Sequence, residues 1–244
     1  MNANRTPWRY LPTHALDVAR GPLLLFVLVS AGLALVIWRL VANEARPPAP
    51  DELLSGLVSG TLMIAVLFAT GGTAGVDIKQ GYYRAYFSKP MAPWWFYLQR
   101  WLLGGVAVML VPLFLGLGLQ LAMGNGTGLD WEIFGHVALG FLLVGGVVLL
   151  ASTVTARDWL LAFMIYFLQA RLQNVKDLFE VTGNELPWTV DKLHAILPPF
   201  HLAAPGKDLP TGTDLIHALA YGVALVTVAL LVLAWRPLGS GGRA

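Results

Sequence analysis

The chain has 244 residues, 57% of them hydrophobic and 12% charged, with a net charge of +2 and no cysteine; its mean hydropathy is +0.65. Soluble domains carry about 25% charged residues, so this composition excludes an ordinary water-soluble fold, and so small a net charge gives no argument for a nucleic-acid partner. The missing cysteines exclude disulfides, thiolate catalysis and cysteine-based metal sites, and the length suits several membrane spans but not a membrane domain joined to a nucleotide-binding domain.

Residues 1–20 carry Arg5, Arg9 and Arg20 among Trp8, Tyr10 and Leu11. Thr13 can cap a short helix that turns Leu16 and Ala19 to lipid and His14, Asp17 and Arg20 to water, an amphipathic lead-in lying on a membrane surface. Span one is expected over 22–41. Its apolar run, 21–38, is longer than the ~7–15 residues of a signal-peptide core and reads as a retained span. A Pro-rich loop, 43–52, leads to span two, 53–76. There Gly56 and Gly60 stand in a GxxxG arrangement beside Ser55 and Ser59. That spacing lets helix backbones approach closely, packing within the bundle first and a subunit interface second. Gly71, Gly72 and Gly75 loosen the end of this span.

The longest polar interruption between apolar runs on this side is 71–100. Asp77 can cap a helix, with Gln80 completing a capping box. Ile78, Tyr82, Ala85 and Tyr86 share one helical face, while Lys79, Arg84 and Lys89 put positive charge on the others. The helix stops at Lys89, before Pro90, and Pro93 suits the first turn of the next. Trp94, Trp95, Tyr97 and Trp101 then fall where an aromatic belt meets lipid headgroups. Residues 77–93 are therefore expected to form a short interfacial helix, a break and a return to the bilayer.

Span three, 96–121, contains Pro112, which removes a backbone hydrogen bond and is expected to kink it. A Gly-rich acidic loop, 123–132, precedes span four, 133–155, whose Gly140, Gly145 and Gly146 give a smooth face. His136, near its start, reads as an interfacial or packing residue. After the Arg157–Asp158 turn, span five, 159–173, is short. Its uncharged part, 159–170, covers roughly 18 Å of a ~30 Å hydrocarbon core. If it crosses, Gln169, Arg171 and Gln173 lie within the bundle or snorkel. Residues 174–214 form the longest hydrophilic region, expected as short helices lying on or dipping into the membrane surface. Span six, 215–235, closes the chain.

The expected fold is an all-α membrane protein: one transmembrane domain over 1–244, a six-helix bundle with an N-terminal interfacial helix, a helix between spans two and three, and short helices between spans five and six. With both termini on one side, that side carries a net +7 and the other −5. Lys and Arg favour the cytoplasmic side, so both termini and 77–93 are expected in the cytoplasm and 174–214 outside. No phosphate-cradling G-x-x-x-x-G-K-[ST], HExxH or G-x-S-x-G occurs. The nearest approach to a metal constellation is Asp191, His194 and His201, where Pro198 and Pro199 demand a fold-back before the third ligand; no metal site is expected from it.

This layout resembles the ABC-2 type permeases of ABC transporters. The residues that carry the resemblance are 81–90 (GYYRAYFSKP), similar to the family's Gly…Lys-Pro segment before span three, 194–202 (HAILPPFHL), similar to its Leu-Pro motif before span six, and 218–222 (ALAYG) leading to Trp235-Arg236-Pro237. Where acidic residues often precede the family glycine, this chain has Lys79-Gln80. The resemblance implies a non-catalytic half-transporter in the cytoplasmic membrane. It implies a second permease subunit, identical or not, cytoplasmic ABC ATPases as separate chains that hold Mg-ATP, membrane lipids as surroundings, and export as the usual direction. It makes the 77–93 segment a coupling helix, with Asp77, Lys79, Gln80, Gly81, Arg84, Ser88, Lys89 and Pro90 as ATPase-coupling residues. Two other classes fit the residues alone: an intramembrane metal-dependent enzyme using Asp191, His194 and His201, and a non-transporting membrane anchor subunit.

Overall fold

The computed structural model describes residues 11–20, 22–41, 49–81, 92–123, 131–183, 186–206 and 208–235. The helices are α1 (Leu11–Arg20), α2 (Pro22–Val41), α3 (Pro50–Thr70), α4 (Gly75–Gln80), α5 (Pro93–Met123), α6 (Trp131–Ser152), α7 (Asp158–Thr182), α8 (Trp188–Ile196) and α9 (Gly212–Trp235), with a 3-10 turn over Phe200–Ala203. Among the described residues there is no strand. Four stretches are long and apolar enough to cross a membrane: Asp51–Gln80, Pro93–Leu121, Trp131–Ser152 and Gly212–Trp235. The chain is an all-helical, membrane-embedded protein.

Helix α6 is the axis of the bundle. Of its apolar window 72% is buried inside the protein, against 39%, 44% and 22% for the other three, and it packs against α3, α5, α7 and α9. Its glycines explain how so many neighbours fit. A Cβ on Gly140 would meet the Leu62 side chain at 2.7 Å, and one on Gly145 would meet Trp101 Nε1 at 3.0 Å. The indole N–H of Trp101 donates to the Gly145 carbonyl at 2.9 Å. Such small-residue contacts are how helices associate where lipid is as apolar as the core.

Exposed tryptophans mark both ends of the bundle. Trp131 and Trp188 stand at one end, and Trp159 and Trp235 at the other, where α3, α6 and α9 finish. Helix α6 between them spans about 33 Å at 1.5 Å per residue, which matches a hydrocarbon core of ~30 Å with its interfacial aromatics. The belt is not the expected one at α5. Trp94 is exposed, but Tyr97 and Trp101 are buried because their polar atoms find partners inside the protein, Asp77 for the Tyr97 hydroxyl and Gly145 for the Trp101 indole.

Several expected boundaries shift. Span two, expected to run to Val76, ends at Thr70, and 71–74 turn the chain into α4. Helix α5 runs through Pro112 and ends at Met123 rather than Leu121. Helix α7 does not stop at 173. It continues to Thr182 and closes on Gly183 in the left-handed conformation, so the first residues of the expected outer segment are helical continuation. His14 does not face water: it is buried, its ring 4.4 Å edge-on from Phe96, because α1 lies against α5.

Gly56 and Gly60 correct the first reading of their spacing. Both are exposed on α3, and a Cβ at either position meets nothing within 4 Å. Among the described residues nothing packs against them. Gly56→Ala with Gly60→Ala is therefore expected to leave the thermal midpoint of the purified chain unchanged or raise it, since alanine favours helix by about 1 kcal/mol per site over glycine. A fall of several degrees would mean that the face is covered by this chain after all.

Candidate functional site: the fastened corner at one end of the bundle

Helix α3 ends at Thr70, Gly71 follows, and Gly72 takes a φ of +70° that suits glycine. The chain reverses there and enters α4, whose N-cap is Ala74 with no side-chain cap bond. Asp77 is thus not the expected cap, and Gln80, the exposed last residue of α4, completes no box. Asp77 sits inside the first turn and is buried. Its carboxylate lies 3.5 Å from Arg100 Nη1 and accepts a hydrogen bond from the Tyr97 hydroxyl at 3.4 Å, both on α5. Arg100 also donates to the Thr73 carbonyl at 3.1 Å. One guanidinium so holds the turn and the helix that follows it. The guanidinium is half-buried and its partner carboxylate is buried, and removing the cation from beside a buried carboxylate is costly.

A second tie comes from the turn between α6 and α7. The carboxylate of Asp158, fully buried, accepts from the Gly72 N–H at 2.8 Å and from the Trp159 N–H at 2.8 Å. A third is steric. A Cβ on Gly75 would stand 2.3 Å from the Thr155 carbonyl oxygen and 3.0 Å from Ala156 Cα, so α4 rests backbone to backbone on that turn. The corner thereby connects α3, α4, α5 and the α6–α7 turn. Ala74, Phe96, Tyr97 and Leu233 form a small apolar core beneath it, which adds α9.

Of the expected coupling residues, Asp77 is buried in the corner, while Lys79 and Gln80 lie exposed on α4. Gly81 closes α4 with φ +79°, its N–H donating to the Ile78 carbonyl at 3.3 Å. A helix running unbroken from Ile78 to Ser88 is therefore corrected: α4 stops at Gln80, because Gly81 takes the left-handed conformation that ends helices. Arg84, Ser88, Lys89 and Pro90 lie outside the described residues. Sequence reasoning missed Thr73, Tyr97, Arg100 and Asp158. The signal was there in Arg100, a lone cation near the start of a long apolar helix, and in Asp158 at a tight turn, since isolated charges beside apolar runs are seldom incidental.

The opposite end holds the histidines. The chain folds back at Pro198 and Pro199, so the His194 and His201 rings lie 5.3 Å apart. His194 Nε2 is 2.7 Å from Gln173 Oε1, and His201 Nδ1 is 3.0 Å from Gln169 Nε2. Burial, with the Lys176 charge second, lowers the His194 pKa from its ordinary value against the opposing pull of Asp191, Asp177 and Glu180. Among the described residues no group of three or more His, Asp or Glu side chains is placed to hold a metal ion. The 3-10 turn does dip inward: Phe200 and Ala203 are buried against α6 and α7, with the Phe200 ring 5.3 Å from Tyr166. Gln169 is buried where it meets His201, Arg171 lies over the Phe167 ring of its own helix at 4.8 Å, and Gln173 meets His194 and Asp177.

No protein-family model matches the chain, and no curated protein matches it.

Proposed function

We propose that the chain is the membrane-spanning permease subunit of an ABC-2 type ABC transporter. It is a six-span half-transporter of the cytoplasmic membrane with both termini in the cytoplasm. It pairs with a second permease subunit and engages separate cytoplasmic ATPases, which hold Mg-ATP. In this reading α2, of 20 residues, and α7, of 25, join the four apolar helices as spans one and five. The segment from α4 to Pro93 is the coupling element, and substrate export is driven by closure of the ATPases.

The observation that carries the reading is the threefold fastening of the corner. A coupling element must pass a push at one face to several spans at once, and a helix hung on flexible loops cannot. Here a displacement of α4 acts on α5 through Arg100, on the α6–α7 turn through Asp158 and Gly75, and on α3 through the turn at Gly71 and Gly72. The net +7 on that side supports its cytoplasmic placement.

Two measurements test it. Reporter fusions at Ser88 and after Ala244 are expected to report cytoplasmic, and those at Pro47, Gly126 and Gly183 the opposite side. The tagged chain, purified gently from native membranes, is expected to bring down an ATPase carrying a phosphate-cradling loop. If Ser88 and the C-terminus report opposite sides, the six-span layout fails. If no ATPase accompanies a correctly inserted chain, the anchor reading replaces the transporter.

A further inference from the structure

We propose that the cleft between α4 and the α6–α7 turn binds a phosphate-bearing anion, supplied as the headgroup of an anionic phospholipid or as a soluble phosphate compound. The cleft has a volume of about 420 Å³, and its walls are α4 from Gly75 to Lys79 and the turn from Ser152 to Arg157. Among the described residues that line it, Lys79 and Arg157 are cations and none is acidic. Both are exposed, and among the described residues neither joins an ion pair. The nearest acids in sequence are committed elsewhere: Asp77 to Arg100 and Tyr97, Asp158 to the Gly72 and Trp159 amides.

A pair of unneutralised cations across a cleft attracts a compact anion. Arginine and lysine are the residues that hold phosphate, arginine through its planar fork and lysine as a point charge. The position fits a headgroup. The cleft opens at the end of the bundle where α3 and α6 finish, beside the exposed Trp159, which is the depth at which interfacial aromatics sit. Val154, 83% exposed, and Ile78 give the same cleft apolar surface against which glycerol and the first acyl carbons can lie. The site is formed by this chain alone and stands whether or not the chain binds an ATPase.

Native mass spectrometry of the purified full chain tests this, with phosphatidylglycerol, phosphatidylcholine and inorganic phosphate as probes. Phosphatidylglycerol is expected to bind at least about tenfold tighter than phosphatidylcholine, and Lys79→Ala/Arg157→Ala to weaken it roughly twenty-fold, from about fivefold per cation near an anionic group. Arg39→Ala/Lys192→Ala, which removes two exposed cations outside the cleft, is expected to change nothing. If millimolar inorganic phosphate displaces the lipid, the site accepts free phosphate; if not, it selects the lipid headgroup; either outcome supports the shared chemistry. Equal affinity for the two lipids overturns the proposal, as does selectivity that survives in a normally folded Lys79→Ala/Arg157→Ala chain. If that variant instead loses only a copurifying protein, the cleft is a protein contact and the proposal also fails.

Discussion

Replacing Gly75 by valine is expected to destabilise the chain by about 3 kcal/mol, at the upper end of what overpacking costs. The reason lies in what the new side chain meets. Its Cβ would stand 2.3 Å from the Thr155 carbonyl oxygen, and that obstacle is backbone in a turn already held by Asp158. No rotamer relieves a clash at Cβ, so α4 must lift off the α6–α7 turn or the turn must move. For a chain of this length the loss corresponds to a fall in thermal midpoint of roughly 10 °C, readable by circular dichroism in detergent. Membrane insertion should persist, because the apolar helices are untouched. A Gly75→Val chain as stable as wild type would show that α4 does not rest on this turn.

Arg100→Leu is expected to have the second-largest effect, about 2 kcal/mol, because it removes the counter-charge of the buried Asp77 carboxylate and the donor to the Thr73 carbonyl. A buried carboxylate that loses its counter-charge costs more than the ion pair was worth. Adding Asp77→Asn should restore much of the loss, since a neutral amide in the same place keeps a partner in Tyr97 and needs no counter-charge. Non-additivity of this size between two side chains in contact is what a double-mutant cycle reads. If Asp77→Asn makes Arg100→Leu worse rather than better, charge compensation is not what holds the corner.

How much of this was legible in the sequence can be followed residue by residue. The helices were, because long uncharged runs have few other solutions in a bilayer; Gly140, Gly145 and Gly146, read as one smooth face, instead let three different helices approach, α3 at Leu62, α5 at Trp101 and α9 at Leu225. The same reasoning failed at Gly56 and Gly60. Spacing says that a helix face is small and apolar, but not whether a neighbouring helix, lipid or another subunit covers it, and lipid and protein interior are alike in polarity. Trp101 and Tyr97 were misread for a related reason. An aromatic residue near a span end looks like a belt residue, but a buried partner for its polar atom turns it inward. The corner itself depends on long-range partners: Gly72 and Asp158 are 86 residues apart, and no local pattern joins them. The end of α4 at Gly81 was missed because the apolar periodicity of Ile78, Tyr82, Ala85 and Tyr86 carried on past it, while the glycine that stops the helix was read only as part of a motif.

The central claim is that α4 and the residues after it pass the motion of a partner ATPase to the bundle. The most direct measurement compares wild type, Arg84→Glu and Gly81→Pro for ATPase retention and ATP turnover in membranes, at matched expression. Proline cannot adopt the φ of +79° at Gly81 or supply its N–H to Ile78, so Gly81→Pro redirects the chain where α4 ends. Arg84→Glu reverses one charge of the segment that follows, and like charge opposes docking where unlike charge aids it. Both variants are predicted to insert normally, with Arg84→Glu lowering ATPase retention or uncoupling turnover from transport, and Gly81→Pro doing so more severely. Normal insertion with ATPase binding and turnover at wild-type level in both variants would contradict the account.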